Sequence, residues 1–224
     1  MENIDERLVQ TVILLHRQYS LLERVIETQG SALANFERAI ADGRQTIDDV
    51  FDVYSYVFAL VDHIDRYRKI AFAVPRLNHK SKEFRSLKLA IEKLEEIRNK
   101  FQHINQYISN EFSGPLLGSV SWVSESKIYQ AVLTELGRHR SAPGIYLNTQ
   151  SGEYSHKYTY VYNDTYYDLQ AAITGVRSFD NYVTEKIKMT VDGKPFSVRD
   201  HFAAFRVQFA PVDVEPSDAE AACQ

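Results

Sequence analysis

The sequence predicts an α+β protein that is mainly α: an up-down helical bundle with an inserted antiparallel β meander. Apolar residues recur at helical spacing from about residue 4 to residue 110. After Gly114-Pro115 the pattern changes to the alternation that is typical of strands. Helical spacing returns after residue 165, and this late amphipathic segment needs the bundle as its apolar partner.

Two helices are expected before residue 42. The apolar residues of the first are Ile4, Leu8, Val12, Leu15, Leu22, Val25 and Ile26. Gly30 is expected to interrupt it, and a shorter helix with Leu33, Phe36 and Ile40 follows. Asp42-Gly43 ends this part, because Gly commonly occupies the position just past a helix.

A second long helix is predicted to begin after Thr46. Asp49 follows three residues later and gives an acidic variant of the capping box. The buried stripe is Val50, Val53, Tyr54, Val57, Val61 and Ile64. Arg68 falls on the same stripe, Asp65 lies at its edge, and Pro75 ends the helix.

The third predicted helix extends from Ser81 to Asn110 without Gly or Pro. Its apolar line is Phe84, Leu87, Ile91, Leu94, Ile97, Phe101, Ile104 and Ile108. Arg98 lies in the centre of that line, whereas Asn99 and His103 share the opposite face. Arg98 and His103 are about 140° apart on an ideal helix. They border one site only if the Arg side chain bends round the helix or a second chain supplies the other half.

Strands are expected from Ser119 onward. Alternation begins at Val120 and Trp122, and residues 128–136 can form the next strand or a helix. Residues 137–144 are predicted to be a loop and 145–148 a short strand. The turn Ser151-Gly152 and a strong strand over 154–162 complete a meander of three or four strands.

Another helix is expected to begin at Asn163-Asp164-Thr165, with Asp168 three residues past Thr165. Asp192-Gly193 predicts a tight turn, and alternation at Phe205, Val207 and Phe209 favours a terminal strand. The predicted domains are a helical bundle of residues 3–112 plus 165–189, an inserted β module of residues 119–163, a C-terminal extension of residues 190–212 with a possible strand, and a flexible tail of residues 213–224.

Composition sets limits on location and function. Of the 224 residues, 44% are hydrophobic, and the net charge of −4 argues against binding to nucleic acid by bulk charge. Any RNA contact therefore requires a local basic patch. Cys223, the single cysteine, cannot form an internal disulfide or a thiolate metal site. No signal peptide and no apolar run of the roughly 18 residues that span a membrane is evident, so a cytoplasmic protein without membrane contact is expected.

The most specific pattern in the chain is Arg98-Asn99 followed by His103 on the third helix. This pattern resembles the HEPN superfamily of all-α domains, many of which are metal-independent ribonucleases in bacterial defence and toxin systems. Their signature is an Arg, usually followed by a polar residue, with a His four to six residues further on. The resemblance covers the helical part and not the β module. One branch has a Tyr two residues after the His that an antitoxin can modify, whereas this chain has Asn105 there.

The resemblance implies three catalytic residues. His103 acts as general base or acid on the ribose 2′-hydroxyl. Arg98 binds the scissile phosphate, and Asn99 orients the His or holds the phosphate. It further implies a homodimer whose two motifs face one cleft, RNA as substrate, a protein antitoxin or regulator as candidate partner, and no cofactor or metal. The acidic set nearest to a metal site is Asp62-His63 with Asp65, which is not expected to bind one.

A structural interpretation of the same residues stays open. Arg98 is then a core-edge arginine paired with Asp49 or Asp65, with its stem on Phe101 and Leu94. Asn99 and His103 then lie on a solvated helix face. The corresponding function is a non-catalytic helical interaction or scaffold protein with a degenerate HEPN-like fold.

Substrate-binding candidates outside the motif are Arg138, Arg140, Tyr158 and Tyr160. The two arginines flank His139 before Pro143 and could hold a phosphate, although a solvated loop is the simpler interpretation. The tyrosines belong to an aromatic strand face that could stack bases. The favoured interpretation of that face is a half-buried sheet surface lying on a helix.

Overall fold

A computed structural model describes residues 6–75, 77–102, 117–133, 144–162, 165–186, 190–191 and 194–195. The helices are α1 (Glu6–Ala41), α2 (Ile47–Ala73), α3 (Lys82–Ile91), α4 (Leu94–Gln102) and α5 (Leu169–Lys186). The strands are β1 (Ser119–Ser124), β2 (Lys127–Val132), β3 (Tyr158–Tyr162), β4 (Thr165–Asp168), β5 (Thr190–Val191) and β6 (Lys194–Pro195). The predicted class, α+β and mainly α, is confirmed.

Helix α1 is continuous, so the predicted interruption at Gly30 is wrong. A glycine inside a helix costs only about 1 kcal/mol relative to alanine. Gly30 lies on the exposed side, while Leu22 and Phe36 are buried on either side of it along the helix. Packing of these apolar residues on both sides outweighs the local preference.

Helix α2 begins as predicted. Thr46 Oγ1 accepts a hydrogen bond from the Asp49 backbone N–H, and the Thr46 N–H donates to Asp49 Oδ2 at 2.7 Å. This capping box satisfies backbone donors that have no partner within the helix. At the other end Val74 is extended, as the residue before Pro75 prefers to be.

The third predicted helix is two helices, because a turn at Glu92-Lys93 separates α3 from α4. Ser81 caps α3 by accepting a hydrogen bond from the Phe84 N–H at 3.1 Å. Ile91, Leu94 and Ile97 are all buried. On a regular helix, side chains three positions apart differ in direction by about 60°, so the three side chains would point increasingly away from one another. The turn allows all three side chains to face the core. Residues 103–110 of the prediction lie outside the described residues.

The four-stranded sheet is antiparallel with strand order β2-β1-β3-β4. It is not a sequential meander, because β3 pairs with β1 instead of β2. A two-residue turn at Glu125 and Ser126, both with positive φ, closes the β1–β2 hairpin. The strand β2 falls within predicted residues 128–136 except for its first residue; residue 133 is not part of it, and residues 134–136 lie outside the described residues.

The predictions for residues 145–162 and for the start of the last helix need correction. Residues 145–148 form only an isolated bridge, Leu147 to Tyr154, and the strong strand begins at Tyr158 instead of Tyr154. Thr165–Asp168, predicted as the start of a helix, is the edge strand β4. Pairing with β3 satisfies the backbone of these residues, so the helix begins at Leu169.

The sheet and the helices share one apolar core. Trp122 of β1 packs edge-on against Phe36 of α1, with ring centroids 5.4 Å apart, and donates its indole N–H to Glu37 at 2.6 Å. The Tyr54 hydroxyl of α2 donates to the carbonyl of Gly118 at 2.6 Å. These contacts fix the sheet against α1 and α2.

The short strands β5 and β6 pair on either side of the predicted turn at residues 192–193. The turn itself, the predicted strand over 196–209 and the predicted tail over 213–224 lie outside the described residues.

Gly118→Ala is expected to destabilise the protein by more than the roughly 1–2 kcal/mol of a left-handed backbone alone. Gly118 has φ +71°, and an added Cβ would collide with the Val161 carbonyl oxygen. Gly152→Ala is the matched control, since φ is +70° there with open space around it. Urea denaturation measures both, and equal losses would contradict the role of close approach at Gly118.

Candidate functional site

Helix α4 places Arg98 against two carboxylates of α2. Arg98 Nε lies 3.2 Å from Asp62 Oδ1 and 3.1 Å from Asp65 Oδ2. The Arg98 side chain is 20% exposed, so it lies at the edge of the core with access to solvent. Both carboxylates come from one face of α2, because they are three residues apart.

Asp65 is the buried centre of this group, with a side chain 1% exposed. Arg68 Nη2 donates to Asp65 Oδ1 at 2.7 Å, and Lys69 Nζ lies 2.8 Å from Oδ2. Burial raises the pKa of Asp65, but the contacts with Lys69 and Arg68 outweigh it and hold that pKa below its ordinary value. Asp65 is therefore an ionised carboxylate at neutral pH.

Further ion pairs extend the group outward. Arg66 Nε lies 2.8 Å from Asp62 Oδ2, and Arg68 Nη1 lies 3.0 Å from a Glu95 carboxylate oxygen of α4. The Arg68 guanidinium also lies over the Phe72 ring at 5.8 Å from its centroid. We refer to the residues joined by these ion pairs as the Asp65 cluster: Asp62, Asp65, Arg66, Arg68, Lys69, Glu95 and Arg98.

The Asp65 cluster fixes the side-chain position of Arg98, the first residue of the Arg98-Asn99-His103 motif. Asp65 is one of the two partners that the structural interpretation of Arg98 named, and Asp62 was not foreseen. Asp49 instead forms the α2 capping box. Asn99 is exposed beside Arg98 on α4. His103 lies outside the described residues, so the Arg–His distance stays a prediction.

The other sequence candidates divide into two groups. Arg138 and Arg140 lie outside the described residues. Tyr158 and Tyr160 are 6% and 0% exposed, so the alternative in which they stack bases is wrong for these two rings. Tyr158 accepts a hydrogen bond from Gln29 Nε2, and Tyr160 donates to the Leu117 carbonyl at 2.7 Å. Burial raises the pKa of both hydroxyls, which join the sheet to its surroundings.

A second polar group was missed from the sequence. His156 Nδ1 lies 2.8 Å from Asp168 Oδ2, and His156 Nε2 lies 2.5 Å from the Tyr166 hydroxyl. All three groups are satisfied when Nδ1 carries the ring proton and Nε2 accepts from Tyr166. Burial and the Asp168 charge raise the pKa of Tyr166 to about 12, which keeps it a donor. No spacing rule connects His156 to Asp168, because the two residues are 12 positions apart and meet only through the pairing of the strands.

His156 and Asp168 line a cleft of about 510 Å³ between α3, α5 and the residues before β3. Its walls carry hydroxyls and small side chains, including Ser86, Ala90 and Thr174. Asp168 Oδ1 also accepts from the Ala171 N–H at 2.8 Å and so caps α5. His156, Tyr166 and Asp168 therefore connect β4 and α5 to the residues that precede β3.

Asp168→Ala is expected to destabilise the protein by about 1–2 kcal/mol, because it removes the cap of α5 and the partner of His156. Asp168→Asn retains an acceptor for the Ala171 N–H and should cost less, since Asn and Asp cap helices equally well. Urea denaturation of both variants decides this. If Asp168→Asn loses as much stability as Asp168→Ala, the loss would come from the missing contact with His156 and not from the missing helix cap.

Within the described residues, no group of three or more His, Cys, Asp or Glu side chains is arranged to hold a metal ion. None of the helices described is at once long enough and apolar enough to cross a membrane. Comparison with known proteins finds no matching family model, no matching curated protein and no matching solved structure.

Proposed function

We propose that the protein is a metal-independent endoribonuclease of the HEPN type, in a bacterial defence or toxin system. The observation that carries the proposal is the position of Arg98: its guanidinium is held at a partly exposed site beside the exposed Asn99. Arg98 Nε lies within 3.2 Å of a carboxylate oxygen of both Asp62 and Asp65. The Nη atoms form the end of the guanidinium that reaches furthest from the main chain.

The Asp65 cluster gives this arginine a fixed orientation. The cluster contains four cationic side chains and three carboxylates. Each carboxylate that contacts Arg98 also contacts at least one other cation, so its negative charge is shared between them. A cation that is already oriented loses little side-chain freedom when it binds a phosphate. Asp62 and Asp65 therefore act as positioning residues, and Arg98 stabilises the negative charge that develops on the phosphate.

His103 supplies the proton transfer in this proposal. As general base it removes the proton of the ribose 2′-hydroxyl, whose oxygen then attacks the adjacent phosphorus. The 2′-oxygen–phosphorus bond forms as the bond from phosphorus to the 5′-oxygen breaks, and the leaving oxygen takes up a proton. Asn99 holds the phosphate or orients the His. The products are a 2′,3′-cyclic phosphate and a 5′-hydroxyl.

A homodimer completes the site. On a regular helix Arg98 and His103 point about 140° apart, so one copy presents them to one phosphate poorly. Two copies that pack with α4 facing a shared cleft bring the Arg98 of one to the His103 of the other. A protein regulator that covers the cleft would silence the activity.

The alternative function is a non-catalytic helical interaction protein, and the same cluster favours it. An arginine whose charge is matched by two carboxylates fills a structural role without any ligand. In this case the α4 face is a docking surface, and substitutions at Arg98 and His103 change stability or partner binding without affecting RNA.

The experiment is incubation of total cellular RNA with purified protein in EDTA, wild type beside His103→Ala, with circular dichroism of both. The proposal expects cleavage by the wild type and none by a folded His103→Ala variant. Gln106→Ala is the control, since it changes a polar side chain of the same predicted helix. Well-folded wild-type protein that cleaves no RNA, or a His103→Ala variant that cleaves equally well, favours the interaction protein.

A further inference from the structure

One face of α1 combines cations with exposed leucines. Leu14 and Leu21 are 51% and 49% exposed, and the exposed arginines Arg7, Arg17 and Arg24 lie within the same arc of about 100° on the helix. The two leucines are about 10 Å apart, which is two helical turns. We name this surface the Arg–Leu face of α1.

Most carboxylates of α1 do not neutralise this face. Glu23 binds Arg177 of α5 through two contacts of 2.8 Å, and Glu37 accepts from Trp122 and Ser124 of β1. Glu27 lies outside the arc, and Glu6 is at its margin at the first helical position. Arg7 and Arg24 form no ion pair with a carboxylate in the part of the chain that the structure describes. Arg7 and Arg24 therefore give this face positive charge beside its two exposed leucines.

The charge pattern argues against two other occupants. A second copy packed on this face would bring the same cations, Arg7 and Arg24, to the contact and would offer no complementary negative charge. A nucleic acid would bind the arginines through its phosphates but gain nothing from the two leucines between them. The complementary ligand is a segment that carries both apolar and acidic residues.

The chain contains such a segment at residues 212–220. It reads Val212-Asp213-Val214-Glu215-Pro216-Ser217-Asp218-Ala219-Glu220, and residues 207–224 contain no Lys or Arg. The segment thus carries both apolar and acidic side chains and no positive charge, the composition that complements the exposed leucines and arginines of the Arg–Leu face.

The course of the chain brings this segment within reach. Arg177 of α5 contacts Glu23, and Asp180, three residues later, contacts His16, so α5 leads toward the N-terminal half of α1. The helix ends at Lys186, and Val212 lies 26 positions further along the chain. A chain of that length can extend up to about 86 Å, far more than the length of the face. A tethered segment also needs little intrinsic affinity to occupy its site.

From the exit of α5 and the charge complementarity, we propose that residues 212–220 dock intramolecularly on the Arg–Leu face of α1. The test attaches a nitroxide to Cys223, the single cysteine, and records the amide signals of ¹⁵N-labelled protein. Signals of α1 residues 14–24 are expected to lose intensity relative to those of α3. The double variant Leu21→Ser with Arg24→Glu is expected to abolish that loss.

The control is Leu89→Ser with Arg85→Glu, which changes an exposed Leu and an exposed Arg on α3 and should leave the effect intact. No intensity loss in the wild type, or equal loss in the α1 variant, overturns the proposal. A second control mixes ¹⁴N protein that carries the nitroxide with ¹⁵N protein that carries none. A loss of α1 signal intensity in this mixture would show that the contact is made between two copies, and it would overturn the proposal of intramolecular docking. Binding of single-stranded RNA that the α1 variant alone loses, without a nitroxide effect, assigns the face to nucleic acid instead.

Discussion

Replacing Asp65 by Asn is expected to destabilise the protein by about 3 kcal/mol, the lower end of the range for breaking a buried ion pair. The carboxylate is 1% exposed and contacts Arg68, Lys69 and Arg98. Without its charge, three cations lose their common partner at the edge of the core. The lower end applies because the Lys69 side chain is 52% exposed and water compensates part of its charge.

The pH dependence of this effect has a defined sign. The pKa of Asp65 is lowered in the folded protein, so its contribution is fully present above the unfolded-state value of about 3.9. That contribution is lost as the pH falls through the lowered folded-state pKa. Urea denaturation from pH 7 to pH 2 should therefore show the difference between wild type and Asp65→Asn shrinking below about pH 4.

Asp62→Asn is the control for Asp65→Asn. Asp62 is 29% exposed and also contacts Arg98, so its loss should cost no more than about 1 kcal/mol. Equal destabilisation by the two substitutions would contradict the central place of Asp65 in the cluster.

Arg98→Ala is expected to lower the rate of RNA cleavage by about 10²–10³, the effect of removing one preorganised donor to a developing negative charge. Arg98→Lys should restore little of it, because an ammonium group lacks the planar fork of a guanidinium. The fold should persist in both, since Asp65 keeps Arg68 and Lys69 as partners. Single-turnover cleavage rates with circular dichroism measure this, and a Lys variant as active as wild type would contradict a role for guanidinium geometry.

Local sequence signals predicted the starts of α2 and α3. Thr46 with Asp49, and Ser81 before Phe84, cap their helices through hydrogen bonds spanning three residues, which sequence spacing reveals directly. The errors lie where distant packing decides the structure. Gly30 stays helical because its apolar neighbours are buried, and Thr165–Asp168 is a strand because β3 offers it hydrogen-bond partners.

The candidate site was predictable only in part. Helical projection placed Arg98 on the buried line of its helix and Asp65 at the edge of the neighbouring stripe, and their pairing was one of the stated alternatives. The contact with Asp62 depends on how α2 and α4 cross, and residues 36 positions apart carry no local signal of it. The pairing of His156 with Asp168 likewise depends on where β4 lies in the sheet.

The most direct test of the proposed function is analysis of the RNA ends left by the wild-type protein in EDTA. Attack by the 2′-hydroxyl predicts fragments with a 2′,3′-cyclic phosphate and a 5′-hydroxyl, and their absence from digests with His103→Ala. Fragments with a 3′-hydroxyl and a 5′-phosphate, or cyclic phosphate ends that persist at the same level in the His103→Ala variant, would contradict the proposed chemistry.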